Sequence, residues 1–184
     1  MIKRILVIGC IVFVLMFAVA IYQTIRRFSN QFPPTITYGE FPFRFVYELD
    51  GVIYEVEDAV ICEFRNMGSY ITYRTWNNSL KSGAGQIIIL SDENANSVLK
   101  PERVNDTSAV FLDYGMSAYY MGDPNNKENP HRKPHVCYYE NYHKGGAEYR
   151  DSTPLTEEQL EKHFGIKIIE FEFSEPIKNT FEEK

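Results

Sequence analysis

FRFVYELDGVIYEVE, residues 43–57, contains the clearest structural signal of this 184-residue chain. Asp50-Gly51 is typical of a two-residue type I′ turn, which requires positive φ at both positions. If Leu49 faces Val52 across the turn, the register of the two strands is set. The further pairs that it predicts are Tyr47 with Tyr54, Phe45 with Val56 and, on the other face, Arg44 with Glu57. The stretch therefore predicts an antiparallel hairpin with one apolar and one charged face.

Further short apolar runs follow this hairpin, separated by turn-rich polar segments, which is typical of antiparallel β domains. The predicted strands are residues 60–64, 70–76, 86–90, 109–112, 117–121, 136–142 and 166–173. One helix is predicted over residues 157–164, because Thr156 and Gln159 have capping-box spacing and Gly165 is a typical stop. We therefore expect a mainly antiparallel β, sandwich- or roll-like α+β domain with one short C-terminal helix.

An uncharged segment, residues 5–22, precedes this domain and is flanked by Lys3-Arg4 and Arg26-Arg27. A helix over residues 5–25 is about 30 Å long, which matches the hydrocarbon core of a bilayer. We therefore predict one N-terminal transmembrane helix, a retained single-pass signal anchor. A cleaved secretory signal is the alternative, because the small-x-small sequence Ala18-Val19-Ala20 follows the apolar run. The order of basic head, apolar run and folded domain favours a cell-membrane protein with an extracytoplasmic domain.

The sequence thus divides into five predicted parts. They are a basic N-terminal tail (1–4), the transmembrane anchor (5–25), a juxtamembrane linker (26–39), a β-rich globular domain (40–175) and a C-terminal tail (176–184), which we expect to be frayed. All 25 acidic residues follow the anchor, whereas four of the 19 basic residues flank it directly, so the rest of the chain carries about −10. Because this charge repels phosphate backbones, nucleic acid is not an expected partner.

Three of the four histidines and a cysteine lie within residues 131–143. Imidazole and thiolate are the usual zinc ligands, so His131, His135 and Cys137 are the candidate metal ligands. Their spacing matches no established ligand pattern, and a solvated basic loop leading into a strand explains the same residues. We therefore predict no cofactor, with the metal site as an alternative.

Cys62 and Cys137 are the two thiols outside the anchor. An exported location permits a disulfide between them. Two buried, unpaired thiols that act as small apolar residues are the other interpretation, which we favour.

Seven tyrosines lie between residues 114 and 149. Tyrosine combines a large rigid surface with a hydroxyl group, which suits the recognition of peptides or sugars and equally suits packing in a small β domain. The candidate binding residues are Tyr119, Tyr120, Tyr138 and Tyr139.

The segments TITYGEFPFRFVYELDG, VICEF, AYYMGD and IKIIEFEFSEPIKNTF resemble a group of bacterial proteins that have one N-terminal span and a small envelope-side domain. The resemblance covers nearly the whole chain. It implies an anchored envelope domain, and no activity, ligand or catalytic residue comes with it.

Three hypotheses for function follow. The first is a membrane-tethered extracytoplasmic module that binds an envelope protein, peptide or glycan, without enzymatic activity or catalytic residues. The second is an envelope hydrolase or metal-dependent enzyme built around His131, His135 and Cys137. The third is a structural or regulatory subunit of a membrane complex.

Overall fold

The computed structural model describes residues 13–22, 24, 32–67, 74–93, 107–124 and 133–181. These residues form eight strands and three helical segments. The strands are β1 (Tyr38–Leu49), β2 (Val52–Met67), β3 (Arg74–Leu80), β4 (Ile87–Glu93), β5 (Thr107–Asp113), β6 (His135–Lys144), β7 (Ala147–Pro154) and β8 (Ile166–Phe173). The helices are α1 (helical over 13–22), α2 (Ser117–Tyr120) and α3 (Glu157–Phe164).

The strands form two four-stranded antiparallel sheets, which confirms the prediction of a mainly antiparallel β domain. The first sheet has the order β3-β2-β1-β8 and the second has the order β4-β5-β6-β7. Neighbours in each sheet are consecutive in the chain, except that β8 returns to pair with β1. This is the strand order of an up-and-down barrel that is opened between β3 and β4 and between β7 and β8.

Both sheets contribute to one hydrophobic core. Phe41, Phe43 and Phe45 enter it from β1, and Val110 and Val136 enter it from β5 and β6. Removing a large apolar side chain from water contributes about 1.5–3 kcal/mol, so this core is the main source of stability. Because side chains alternate along a strand, every second residue lies on a sheet face directed away from the core.

The hairpin of β1 and β2 has the predicted turn and register. Asp50 and Gly51 have φ angles of 52° and 76°, as a type I′ turn requires. The pairs are Leu49 with Val52, Tyr47 with Tyr54, Phe45 with Val56 and Arg44 with Glu57. The rings of Tyr47 and Tyr54 stack with centroids 5.2 Å apart, so the cross-strand pair contributes packing as well as register.

The predicted helix is confirmed as α3, including both ends. The Thr156 hydroxyl accepts a hydrogen bond from the Gln159 N–H at 3.2 Å, and the Gln159 side chain accepts one from the Thr156 N–H at 3.0 Å. Gly165 has a φ of 64° and ends the helix in the left-handed conformation. Leu160 is fully buried and fixes α3 to the core.

The strand predicted at residues 117–121 is wrong, because Ser117–Tyr120 is a short helix. Gly115 and Gly122, at φ 85° and 62°, lie on either side of this segment in left-handed conformations, which interrupt an extended strand. The Ser117 hydroxyl donates to the Asn77 carbonyl oxygen at 2.6 Å, which fixes the segment against β3.

β7 is a strand that the sequence analysis did not predict. Its residues are almost all exposed, so the apolar alternation typical of a half-buried strand is missing. The preceding Gly145-Gly146, at φ 62° and 82°, forms a two-residue turn like that of the first hairpin. This glycine pair is the signal that would have identified β7.

The N-terminal segment is only partly described. Residues 13–22 are helical. The predicted basic tail (1–4), residues 5–12, 23 and 25 of the predicted anchor, and linker residues 26–31 lie outside the described residues. Within the described part of the chain, no helix has both the length and the apolar character needed to cross a bilayer.

The two ends of the domain meet beside a buried ion pair. Arg74 donates to both carboxylate oxygens of Asp123, at 2.9 and 2.7 Å, and both side chains are almost completely buried. Arg74 also donates to the Phe32 carbonyl oxygen at 3.1 Å, and its guanidinium lies 4.1 Å from the centroid of the Phe181 ring. Trp76 donates to Asp123 at 3.0 Å, so the pair is hydrogen-bonded on several sides.

The C-terminal segment, which we expected to be frayed, contacts the domain through residue 181. The Thr35 N–H donates to the Thr180 carbonyl oxygen at 2.9 Å, and the Ile177 N–H donates to that of Tyr120 at 2.8 Å. Gly122 permits this approach, because a Cβ there would lie 2.3 Å from the Ile177 carbonyl oxygen.

Candidate functional site

Three different metal-ligating side chains meet on the outer face of the second sheet. Asp113 at the end of β5 lies opposite His135 at the start of β6, and Cys137 follows two residues later on the same face. One oxygen, one nitrogen and one sulfur atom of these residues all lie within 4.8 Å of one another. Cys137 is buried, whereas Asp113 and His135 are half-buried, so solvent reaches one side of the cluster.

Each of the three side chains also has a hydrogen bond that orients it. His135 Nδ1 lies 2.7 Å from the Lys133 carbonyl oxygen, and since a carbonyl only accepts, Nδ1 carries the proton. In the neutral form of the ring, the lone pair is then on Nε2. The Gly115 N–H donates to Asp113 Oδ1 at 2.9 Å, and the Ser152 hydroxyl on β7 bonds to the Cys137 sulfur.

Burial raises the pKa of the Cys137 thiol to about 11, and the nearby Asp113 carboxylate adds to this shift. The hydrogen bond from Ser152 acts in the opposite direction. Without a cation, Cys137 is therefore a protonated thiol at neutral pH.

This arrangement does not form a cysteine–histidine–aspartate catalytic triad. In such a triad the carboxylate orients the imidazole and the thiol is activated beside it. Here His135 Nδ1 is held by a backbone carbonyl, and the Cys137 thiol is only 3% exposed with a raised pKa. The cluster is better suited to binding a cation than to nucleophilic attack.

The structure brings together two of the three metal ligands predicted from sequence. His135 and Cys137 share a face, whereas His131 lies outside the described residues. Asp113 was not predicted, because it is 22 residues before His135 and only strand pairing places the two side by side. No local sequence signal identifies it.

The four candidate tyrosines lie in different environments. Tyr120 and Tyr138 are core residues, with 0% and 2% of their surface exposed. Tyr119 is half-buried, and its hydroxyl has no hydrogen-bond partner among the described residues. Tyr139 is half-buried on the outer face of the second sheet, next to the metal-ligand cluster.

Tyr139 is part of a small aromatic and cationic surface. The Phe111 ring lies 5.7 Å from its ring, between centroids, and the Arg150 guanidinium lies 4.2 Å from the Tyr139 centroid. A guanidinium at this distance over an aromatic face forms a cation–π contact. The outer face of the second sheet therefore combines rigid rings, a positive charge and the Asp113–His135–Cys137 cluster.

Cys62 and Cys137 are both buried, free thiols. Cys62 belongs to the shared core from β2 of the first sheet, whereas Cys137 points to the outer face of the second. The disulfide considered from the sequence is therefore not formed in this structure.

No family model, curated protein or solved structure matches this chain.

Proposed function

We propose that this protein is a membrane-tethered binding module of the cell envelope. Residues 5–25 serve as the anchor, and the two-sheet domain lies outside the cytoplasm. The outer face of the second sheet binds a protein or peptide of the envelope through Tyr139 and its neighbours.

The single observation that supports the membrane anchor is that the apolar side chains of α1 are exposed. Its large apolar side chains are not buried against the described part of the chain, and their exposed fractions lie between 46% and 67%. The exposed residues are Phe13, Val14, Leu15, Met16, Phe17, Val19, Ile21 and Tyr22. A helix that is apolar on every side needs an apolar environment, and the hydrocarbon core of a bilayer provides one.

The attachment of Phe32 supports a short tether. Residue 32 is already hydrogen-bonded to Arg74, so only residues 26–31 separate the proposed anchor from the domain. Six extended residues reach about 20 Å at most, so the domain is held close to the membrane surface. Such confinement raises the effective concentration of partners at the same membrane surface, so even a partner of low affinity can be bound.

The surface around Tyr139 supports the binding role. Tyrosine, phenylalanine and arginine are enriched where proteins bind one another. The aromatic rings supply large contact area at a small entropic cost, and arginine adds a charged group that also stacks on aromatic faces. Phe111 and Arg150 each contact Tyr139, and all three residues lie on paired strands, so this surface is formed before a partner arrives.

Extraction of membranes tests the tether. The full chain should stay in the membrane fraction after alkaline carbonate treatment, whereas a chain starting at residue 32 should be soluble. Protease added to intact spheroplasts should remove the domain. Mature protein that begins near Ile21, or a domain protected until the cells are lysed, would contradict the proposal.

Site-specific photo-crosslinking in living cells tests the binding surface. A photoreactive phenylalanine analogue at position 139 should give discrete adducts, and Arg150→Ala should weaken them. The matched control is position 61, also half-buried on a sheet face directed away from the core, but on the first sheet. Equal adducts at both positions, or none at position 139, would refute a role for this surface.

A further inference from the structure

The Asp113–His135–Cys137 cluster has a donor set with clear chemical preferences. Thiolate sulfur and imidazole nitrogen are typical ligands of zinc and related transition metals, whereas calcium and magnesium require oxygen ligands. A site that combines sulfur, nitrogen and one carboxylate therefore selects a divalent transition metal.

The geometry of the cluster is close to that of a bound ion. Bond lengths of about 2.0–2.3 Å place the ligand atoms of a tetrahedral zinc site roughly 3.3–3.8 Å apart. The three atoms here lie within 4.8 Å of one another, so a bound ion requires these separations to shorten by at most about 1.5 Å. All three side chains come from paired strands, which hold their backbones in place.

The orienting hydrogen bonds are a second, independent argument. Metal-bound histidine usually donates its other ring N–H to a carbonyl or carboxylate, as His135 does to Lys133. The Asp113 carboxylate and the Cys137 sulfur are likewise held by the Gly115 N–H and the Ser152 hydroxyl. Three ligands that each have such a partner resemble a preorganised metal site more than a chance meeting of polar residues.

From these observations we propose that Asp113, His135 and Cys137 bind one Zn²⁺ ion on the outer face of the second sheet. Zn²⁺ replaces the Cys137 thiol proton, which passes to solvent, so that a zinc–sulfur bond forms without any redox change. Three protein ligands leave one position of a tetrahedral ion for water or for a donor atom of a bound partner.

The test uses the full chain in detergent, with reduced thiols and after removal of metal by a chelator. Titration with Zn²⁺ against a chromophoric chelator should give one ion per chain. Co²⁺ should produce a thiolate-to-metal charge-transfer band together with the visible bands of a tetrahedral ion. Cys137→Ser should abolish the charge-transfer band and weaken zinc binding by at least about 10-fold.

Cysteine and histidine residues elsewhere in the chain provide matched controls. Cys62→Ser removes the other buried thiol and His143→Gln removes an exposed histidine further along β6, and both should bind metal like the wild type. His135→Gln and Asp113→Asn change half-buried positions and test the site even if Cys137→Ser fails to fold. Substoichiometric zinc in the wild type, or equal binding by Cys137→Ser and Cys62→Ser, would overturn the proposal.

Discussion

Two polar clusters in this domain differ in what neutralises them. In the Arg74–Asp123 pair, a cation and an anion are both buried and hydrogen-bonded to each other and to their surroundings. In the Asp113–His135–Cys137 cluster, three electron-pair donors converge at a half-buried position. The first cluster is complete and holds the two ends of the domain together. The second places three donor atoms within 4.8 Å of one another, and this contrast distinguishes a structural cluster from a candidate ligand site.

The largest effect is expected from Asp123→Asn. This change leaves the Arg74 guanidinium buried without its counter-charge and should lower the free energy of unfolding by about 3–5 kcal/mol. Denaturant unfolding measures it. The control is Glu40→Gln, which removes an exposed ion pair with Lys81 and should cost at most about 1 kcal/mol. Equal losses in the two variants would show that the buried pair is not a structural anchor.

Gly122→Ala tests whether the close packing of the C-terminal segment, next to the Arg74–Asp123 pair, stabilises the domain. The added Cβ would be 2.3 Å from the Ile177 carbonyl oxygen at a φ of 62°, so both strain and a backbone clash oppose it. We expect a loss of more than about 2 kcal/mol in thermal or denaturant unfolding. In Gly83→Ala the φ is 79° but no atom of the described residues lies within 4 Å of the new Cβ, so the loss should be about 1–2 kcal/mol. If both variants lose the same amount, the close packing of the C-terminal segment contributes nothing.

The pH dependence of the unfolding free energy measures how strongly the core disfavours the ionised Cys62 thiolate. Burial raises the pKa of this thiol from 9.0 to about 11, so the folded chain retains a proton that the unfolded chain loses. The stability due to this difference is present below pH 9 and is lost as the pH rises towards 11, by about 2–3 kcal/mol. The unfolding free energy of the wild type should therefore fall more steeply with pH than that of Cys62→Ala. Parallel pH profiles of the two proteins would contradict this expectation.

The smallest effect is expected from Asp113→Asn in metal-free protein. The amide oxygen can still accept the hydrogen bond from the Gly115 N–H, and a charge beside the Cys137 thiol is removed. The free energy of unfolding should change by less than about 1 kcal/mol, as measured by denaturant unfolding in the presence of a chelator. A loss as large as that of Asp123→Asn would mean that both clusters serve the fold and would remove the contrast between them.

The sequence predicted those elements whose turn or capping residues lie within or next to the element itself. Asp50-Gly51 determined the turn and, with the alternating side chains on both sides, the register of the first hairpin. Thr156, Gln159 and Gly165 likewise identified α3. In both elements the deciding residues are close together in the chain, so local propensity and the final structure agree.

The remaining elements depended on contacts that are distant in sequence. Ser117–Tyr120 has the apolar composition of a strand, but its contact with β3 and the flanking glycines make it helical. β7 is stabilised by pairing with β6 instead of by its own apolar face. Asp113 enters the candidate site for the same reason, since only the register of β5 against β6 places it next to His135.

The hydrogen bond between Thr35 and Thr180 has a practical consequence for engineering. The chain enters and leaves the domain at neighbouring points, so a short linker can join residue 32 to residue 181. New termini can then be opened at the exposed Asp50-Gly51 turn, and every observed strand pairing is kept. Domains whose ends meet generally tolerate such circular permutation, and it would allow the folded unit to be studied apart from its N-terminal helix.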